Sequence, residues 1–476
     1  MPASFPVTPQ QRLIPFLGLF ILLLSCRVSA ADGLPPTSRA PLGLPQLVTS
    51  ALEHHASVDL AGMEKRMSET DLDKAKAASL PKLEVQILTG PVSDAEKPFV
   101  EHGEIRSRTS RTDFSSPGVF ARIELTVTQP LYTFGKIRHR REAAELQVSV
   151  KDLQLEQVRA EIVRDVHLRY YGLVLAEMGG ETAAEGSRFL GDLKDRTESL
   201  LDAGAAHVQP VDRFRIDAAY GDMKRNRARV EAARTVSYHS LKTLVGYPDE
   251  QDFEIADTQL PVPEGPLQEQ TFFVNRALTG RPETDQLEKG LRARHHLWKA
   301  SEADLYPDLF AAVKGAVSRA PGRERFNDAY IHDEFNEEYL GIVFGARWRF
   351  DFGMTGAACD RARTEYLAAK RRKEMVGEQI ALEALNWYHE VIRARESVAA
   401  YDEASRASRR WLITSLSEFD MGLGSVKDVL DAIESYSRNR GNYLLSLFEF
   451  NASKVKLEYA AGLLNTESTR STIAPR

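Results

Sequence analysis

The segments Gln129-Pro130-Leu131-Tyr132-Thr133-Phe134-Gly135-Lys136 and Trp348-Arg349-Phe350-Asp351-Phe352-Gly353 each end a run of alternating residues and open a long stretch with helical spacing. Gly135 and Gly353 lie 218 residues apart, as do Tyr170 and Tyr388, Gly204 and Gly422, and Val208 and Val426. Four coincidences at one spacing mark an internal repeat, which sets the architecture before any other signal. Upstream, Ala51-Leu52 and Ala277-Leu278, and Pro81 and Pro307, lie 226 residues apart. The change of spacing places a longer loop in the first copy, between Pro81 and Gly135.

The hydrophobic period changes within each copy. Leu83, Val85 and Ile87 alternate with Lys82, Glu84 and Gln86, and Ile123, Leu125 and Val127 with Arg122, Glu124 and Thr126. In the second copy Leu309, Ala311, Val313 and Val317 form one alternating set, and Ile342, Phe344, Ala346, Trp348, Phe350 and Phe352 another. Period two is the mark of a strand with two unlike faces. Strands are expected at about 81–91 and 119–134, and again at 307–318 and 339–353. Polar loops at about 91–118 and 318–338 join them.

After each strand pair the period lengthens to three or four residues. Leu146, Val150 and Leu153, then Leu155, Val158, Ile162 and Val166, trace one helical face. No proline falls between Lys136 and Leu201. Helices are expected at about 136–201 and 208–244, then at 355–419 and 426–461. Sixty-odd helical residues span roughly 100 Å, too long for an ordinary globular domain and suited to a coiled-coil-like assembly. Gly179-Gly180 is a point where the first long helix would bend or break. Glycine-bearing turns at 203–206 and 422–424 reverse each helix pair. A shorter amphipathic helix precedes each strand pair, around 43–78 and 268–305.

The fold class is therefore mainly α with β, a duplicated strand–strand–long-helix–long-helix unit. The first repeat occupies 43–246 and the second 268–466. A connecting stretch at 247–267 carries Pro248, Pro261, Pro263 and Pro266 and reads as a linker. Residues 467–476 form a tail. At the N-terminus, Arg12 precedes an apolar run from Leu13 to Leu24, and small residues follow at Val28-Ser29-Ala30. This is the pattern of an export signal over 1–30. Leu23-Leu24-Ser25-Cys26 also resembles a lipobox, which would make Cys26 a lipidated first residue.

Composition narrows the function. A net charge of −6 leaves no basic footprint for nucleic acid. Mean hydropathy of −0.34 excludes a bundle of membrane-spanning helices. Cys26 and Cys359 are the only cysteines, too few for a disulfide framework. No nucleophile–base arrangement, phosphate loop or zinc signature stands out, so no enzyme activity, cofactor or metal is expected. His54-His55 and His295-His296 are adjacent pairs, which do not share a helix face, and read as solvent-exposed. Asn451-Ala452-Ser453 is an incidental glycosylation sequon inside a helix.

The strands are long enough to cross a membrane if tilted, and Tyr132, Phe134, Trp348, Phe350 and Phe352 cluster at their ends like an interfacial girdle. Four strands cannot close a barrel, and an open edge is not tolerated in lipid. A membrane-spanning reading therefore requires several chains.

These residues resemble the outer-membrane efflux proteins of the TolC type. Gln129 to Lys136, with Arg138, His139, Arg140 and Arg141 following, is similar to that family's strand-to-helix motif. Gly422-Leu423-Gly424-Ser425-Val426-Lys427-Asp428-Val429-Leu430-Asp431 is similar to its periplasmic turn. Tyr170 and Tyr388 stand where the family often places an aromatic in the long helix. Met354-Thr355 departs from its usual glycine and basic residue. The first turn, Ala205-Ala206-His207, lacks the leucine of the second.

The resemblance implies a homotrimer with a twelve-stranded outer-membrane β-barrel continued by a periplasmic α-helical barrel. It implies a passive exit duct of a tripartite efflux or type I secretion system. The expected partners are a periplasmic adaptor, an inner-membrane pump and outer-membrane lipid. Adaptor contacts are expected at Gly204, Gly422, Leu423, Gly424 and Ser425. The tunnel mouth is expected near Asp202, Asp212, Arg213, Asp420, Asp428 and Asp431, with Arg213, Arg215 and Tyr436 as candidate latches. The alternative is a periplasmic coiled-coil scaffold or adaptor that stays out of the membrane. It would have no reason to carry strands with one apolar face.

Overall fold

The computed structural model describes residues 41–93, 99–106, 118–248, 251–323, 325 and 332–464. The expected signal, Cys26 and the tail at 467–476 lie outside the described residues. In chain order the elements are α1 (Leu44–His54), α2 (Ala56–Ala77), β1 (Lys82–Val92), β2 (Phe99–Glu101), β3 (Glu104–Arg106), β4 (Gly118–Tyr132), α3 (Lys136–Asp202) and α4 (Pro210–Leu244). They continue as α5 (Gln270–Gly280), α6 (Pro282–Ala303), β5 (Asp308–Arg319), β6 (Glu338–Arg347), α7 (Met354–Asp420) and α8 (Val426–Ala460). The duplication shows in helix lengths: α1 and α5 have 11 residues, α2 and α6 have 22, α3 and α7 have 67, and α4 and α8 have 35.

One antiparallel sheet takes strands from both repeats in the order β1-β4-β5-β6. Its registers place Val85 beside Leu125, Leu125 beside Gly315 and Gly315 beside Leu340. Leu83, Ile87, Ile123, Val313, Ile342 and Phe344 share that face by the same registers. Glu84, Gln86, Glu124, Thr126, Thr128 and Lys314 occupy the other. Among the described residues the apolar face has no layer packed on it: Val85, Ile87, Ile123, Leu340, Ile342 and Phe344 are all exposed.

The sheet ends where its partners end. Asp308, the first residue of β5, pairs with Arg347, so Trp348 to Phe352 have no strand beside them and lie outside β6, unlike the expected strand to 353. Trp348 instead donates its indole N–H to the Leu305 carbonyl at 3.1 Å, and Asp351 accepts from the Thr355 N–H at 3.0 Å to start α7. On β4, Pro130 has no N–H to donate, and the register shifts between Pro130 and Tyr132.

Below the sheet the helices stand side by side. Near it, α2 packs on α3, α3 on α6 and α6 on α7; farther along, α4 packs on α3, α3 on α8 and α8 on α7. The two long helices thus run through both levels, and the shorter ones take turns beside them. The main apolar core sits where the levels meet. Leu47, Val48 and Ala51 of α1, Val163, Val166, Tyr170 and Leu173 of α3, and Leu444 and Leu447 of α8 are buried together there.

Several boundaries differ from the sequence reading. The single helices expected at 43–78 and 268–305 are each two, broken at His55 and Arg281, whose backbones are extended. Pro282 is the first residue of α6, a position that leaves its missing N–H without consequence. Gly179-Gly180 does not interrupt α3; a Cβ on Gly179 would make only an ordinary contact with Val230 of α4, at 3.6 Å. Helix α4 begins at Pro210 rather than 208, with Gln209 as its cap. Val208 therefore lies in the turn, whereas Val426 is the first residue of α8, and the first turn is longer by two residues. The stretch at 247–267 is packed down. Leu42 and Ile255 form a β-bridge, Phe253 and Leu260 are buried, and Asn451 of α8 donates to the Pro261 carbonyl at 2.8 Å. That burial also takes the Asn451 sequon out of solvent.

Gly246 and Gly462, which end α4 and α8, have φ of +66°. A Cβ at Gly462 would lie 2.6 Å from the Gly280 carbonyl oxygen, which is backbone and cannot swing aside. At Gly204 φ is +71° but the space around a Cβ is open. Gly462→Ala should therefore cost roughly 2 kcal/mol or more, and Gly204→Ala only about 1 kcal/mol. Thermal unfolding followed by circular dichroism checks the order; equal losses would contradict the contact argument.

Candidate functional site

Helix reversal at the far end from the sheet builds the first candidate site. At the end of α7, Gly422 takes φ of +75°, and the N–H groups of Leu423 and Gly424 both reach the Glu418 carbonyl, at 2.9 and 3.0 Å. Leu423 is 79% exposed at the tip. Ser425 then caps α8: its backbone N–H and hydroxyl donate to Asp428 Oδ2 at 3.2 and 2.6 Å, and the Asp428 N–H donates back to its Oγ at 3.3 Å. The hydrogen bond from Ser425 holds the Asp428 carboxyl below the usual aspartate range.

The first turn reaches a similar end differently. Gly204 closes α3, with the Ala205 N–H on the Leu200 carbonyl at 3.0 Å. Asp212, only 5% exposed, accepts from the Gln209 N–H at 2.9 Å and from Arg215 at 2.8 Å. His207 fills the gap between the two turns. Its ring lies edge-on to Phe419 at 5.7 Å, and its Nδ1 would be 3.5 Å from a Cβ on Gly422.

The structure thus divides the acidic candidates. Asp212 and Asp428 cap helices, and Asp420 is bound by Arg196 at 2.6 Å, while Asp202 and Asp431 stand exposed. Of the candidate latches, Arg213 reaches Glu198 at 3.5 Å within the first hairpin, and Arg215 stays on its own helix. Tyr436 of α8 crosses to α3, where its hydroxyl donates to Glu185 Oε2 at 2.9 Å; burial and that bond raise the phenol. Arg196–Asp420 and Tyr436–Glu185 are therefore two pairs that join one hairpin to the other toward the turns, as Tyr459–Glu161 does nearer the core. Sequence reasoning missed Arg196 and Glu185, because their partners lie more than 200 residues away.

The strand–helix junction forms a second site. Phe134 and Phe352, each just before the glycine that precedes a long helix, have φ of +51° and +50°. A bulky residue in that region is strained, and both repeats keep it. Tyr132, Phe134, Trp348, Phe350 and Phe352 are all exposed. Phe134 lies 4.8 Å from Tyr132 and stacks on Tyr306 at 5.0 Å, and Trp348 lies 4.6 Å from Phe350. Lys136 reaches Asp308 at 2.8 Å and Asp304 at 3.2 Å, and Arg140 reaches Asp304 at 3.0 Å. These pairs fasten the start of α3 to the second repeat.

The histidine pairs part company. His54 bonds the Ser50 carbonyl at 3.0 Å, and His55 accepts from the Ser57 N–H at 3.2 Å, so both serve the α1–α2 break. His296 is not the solvent-exposed residue that its sequence setting suggested: it is half-buried beside His139 and Glu142 of α3. Burial holds its imidazole below the usual range despite the nearby carboxylate. Tyr170, the aromatic of the first long helix, is fully buried and donates to Asp257 of the connecting stretch at 2.7 Å. Tyr388, in contrast, is partly buried against Phe273 at 5.9 Å.

Comparison with known proteins agrees with this geometry. Residues 273–463 match the outer membrane efflux protein family. No curated protein matches by sequence. Among solved structures, the outer-membrane channel OprN aligns with a TM-score of 0.73 at 18% identity over 88% of this chain and 89% of that one. The Campylobacter jejuni CmeC outer membrane channel aligns at 0.71 and 15% identity, over 90% and 88%. The Vibrio cholerae outer membrane protein VceC aligns at 0.70 and 16% identity, over 88% and 96%. At these identities the likeness establishes the fold.

The α8 cap yields a direct test. Ser425→Ala should cost about 1 kcal/mol of local stability, raising amide exchange over 426–429 about five-fold. The carboxyl of Asp428 titrates lower folded than unfolded. Its contribution is therefore complete above the ordinary carboxylate range and is lost as pH falls through the lowered value. Asp428→Asn should remove that acid dependence in the same exchange measurement.

Proposed function

We propose that this chain, an outer-membrane efflux protein by the match of its second repeat and by its fold, is the passive exit duct of a tripartite efflux or secretion assembly. The observation that carries the reading is the sheet. Its apolar face is uncovered, and β1 and β6 are its two edges. Among the described residues no helix is long and apolar enough to cross a membrane, so the sheet is the element that would enter lipid.

Three chains, the number that the family resemblance implies, would pool twelve strands by pairing β6 of one chain with β1 of the next. Pairing satisfies the edge N–H and C=O groups that hydrocarbon leaves without partners. Glu84, Gln86, Glu124, Thr126 and Lys314 would then line a water-filled lumen, and the aromatics at the strand–helix junction would sit at headgroup level. The row of helices α2-α3-α6-α7 has two free flanks as the sheet does, so the same closure would make a helical tube reaching into the periplasm.

As a passive duct the chain would carry out no chemistry of its own. Energy would come from an inner-membrane pump, with a periplasmic adaptor seated on the turns at Gly204 and at Gly422 to Ser425. Exposed Leu423 is the apolar contact such a partner would cover. Asp202 and Asp431 would lend the tunnel mouth a preference for cations. Opening would part the helix ends, working against Arg196–Asp420 and Tyr436–Glu185.

Electron microscopy of protein extracted from the outer-membrane fraction tests the assembly. The expected particle is three-fold, with a short barrel and a tube of roughly 100 Å. A soluble monomer absent from that fraction would favour the scaffold. A second test reads the two sheet faces. Val85→Arg, on the apolar face, should cost about 2–4 kcal/mol if it lies near the bilayer centre and deplete the protein from the membrane. Gln86→Arg, one residue along and on the polar face, should leave its level unchanged.

A further inference from the structure

His139 and Glu142 stand one turn apart on α3, just below the strand–helix junction, and His296 projects from the middle of α6 in the other repeat. Three donor atoms converge. His139 Nδ1 is 3.0 Å from Glu142 Oε2, His296 Nδ1 is 3.0 Å from the same oxygen, and the two imidazole nitrogens are 3.2 Å apart. The side chains are between 18% and 33% exposed.

At metal–ligand distances of about 2.0–2.2 Å, neighbouring ligand atoms lie roughly 2.9 Å apart in octahedral and 3.4 Å apart in tetrahedral geometry. A triangle with edges of 3.0, 3.0 and 3.2 Å falls between the two. We propose that His139, Glu142 and His296 form a binding site for a divalent transition-metal ion of the Zn2+ class, which clasps α6 to α3. Two imidazoles and one carboxylate suit Zn2+ or Cu2+ and disfavour Ca2+ and Mg2+, which take oxygen ligands. Partial exposure leaves the remaining coordination positions to water.

The opposing charges around the site include Arg292 of α6, which acts on His296, and Arg138 of α3. Arg138 Nη2 lies 3.4 Å from His139 Nε2, and Arg138 Nε lies 4.0 Å from Glu142 Oε1. That side chain is 67% exposed and free to turn outward when a cation arrives. Because α3 belongs to the first repeat and α6 to the second, the ion would act as a cross-repeat staple directly beneath the sheet. The site stands independently of what the channel exports.

Zn2+ titration of the purified full-length protein, made without a histidine tag, tests the assignment. One ion per chain is expected, with a rise in melting temperature. Glu142→Gln and His296→Gln should each weaken binding at least ten-fold. Arg138→Ala, which removes one opposing charge and leaves Arg292, should tighten it. With Cu2+ as the probe, the electron paramagnetic resonance spectrum should show coupling to two imidazole nitrogens, and to one in His296→Gln. No Zn2+ binding by the folded wild-type chain would overturn the proposal, leaving a hydrogen-bonded triad. Binding that survives both substitutions unchanged would overturn it as well.

Discussion

Backbone hydrogen bonding at the edges of a four-stranded sheet is the constraint on which the rest of this molecule depends. A sheet with one polar and one apolar face has two ways to be stable: cover the apolar face with another layer, or put it in lipid. Among the described residues no layer covers Val85, Ile123, Leu340 or Phe344. In lipid, an edge N–H has no water to fall back on, so a strand from elsewhere must complete the ladder. The open row of helices beneath the sheet poses the same problem in side-chain packing. One closure would answer both.

Duplication sets the geometry of that answer. Helix lengths are identical between repeats, and matching glycines, Gly246 and Gly462, let α4 and α8 end hard against the helices at the start of each repeat. Identity stops at the turns and at the junction. The first turn is longer by two residues and inserts His207 toward Phe419, while the second is short and carries Leu423 at its tip. The connecting stretch exists once per chain and is fixed through Tyr170 to Asp257, so only the first of the two equivalent tyrosines has that partner.

Much of this was legible in the sequence, because periodicity and glycine placement are local signals. The alternation through Ile123, Leu125 and Val127 gave a strand, and Gly135 and Gly353 marked the starts of the long helices. The length of those helices followed from absent proline. Pro282 and Pro210 were visible too, yet the offset between valines at 208 and 426 hid the longer turn. A spacing match does not distinguish residues that share a position from residues that share only a burial pattern. The strand end at Arg347 depended on where β5 starts, which no local pattern at 348–352 records. The histidine cluster was illegible for the same reason. His296 meets His139 only because α6 packs on α3, a contact between repeats that adjacency in sequence argues against.

Joining two repeats in one polypeptide has a genetic consequence. If three chains close into a ring, the hairpin tips form six seams of two kinds, three within a chain and three between chains. A codon change at Arg196 or Tyr436 would strike the first kind, where their bonds to Asp420 and Glu185 lie, so the two sets of seams could drift in strength separately. A ring of six identical single-repeat chains has no such freedom, since every mutation would strike all seams at once. In such a ring, fusion would let selection tune a three-fold aperture within a six-fold arrangement of hairpins.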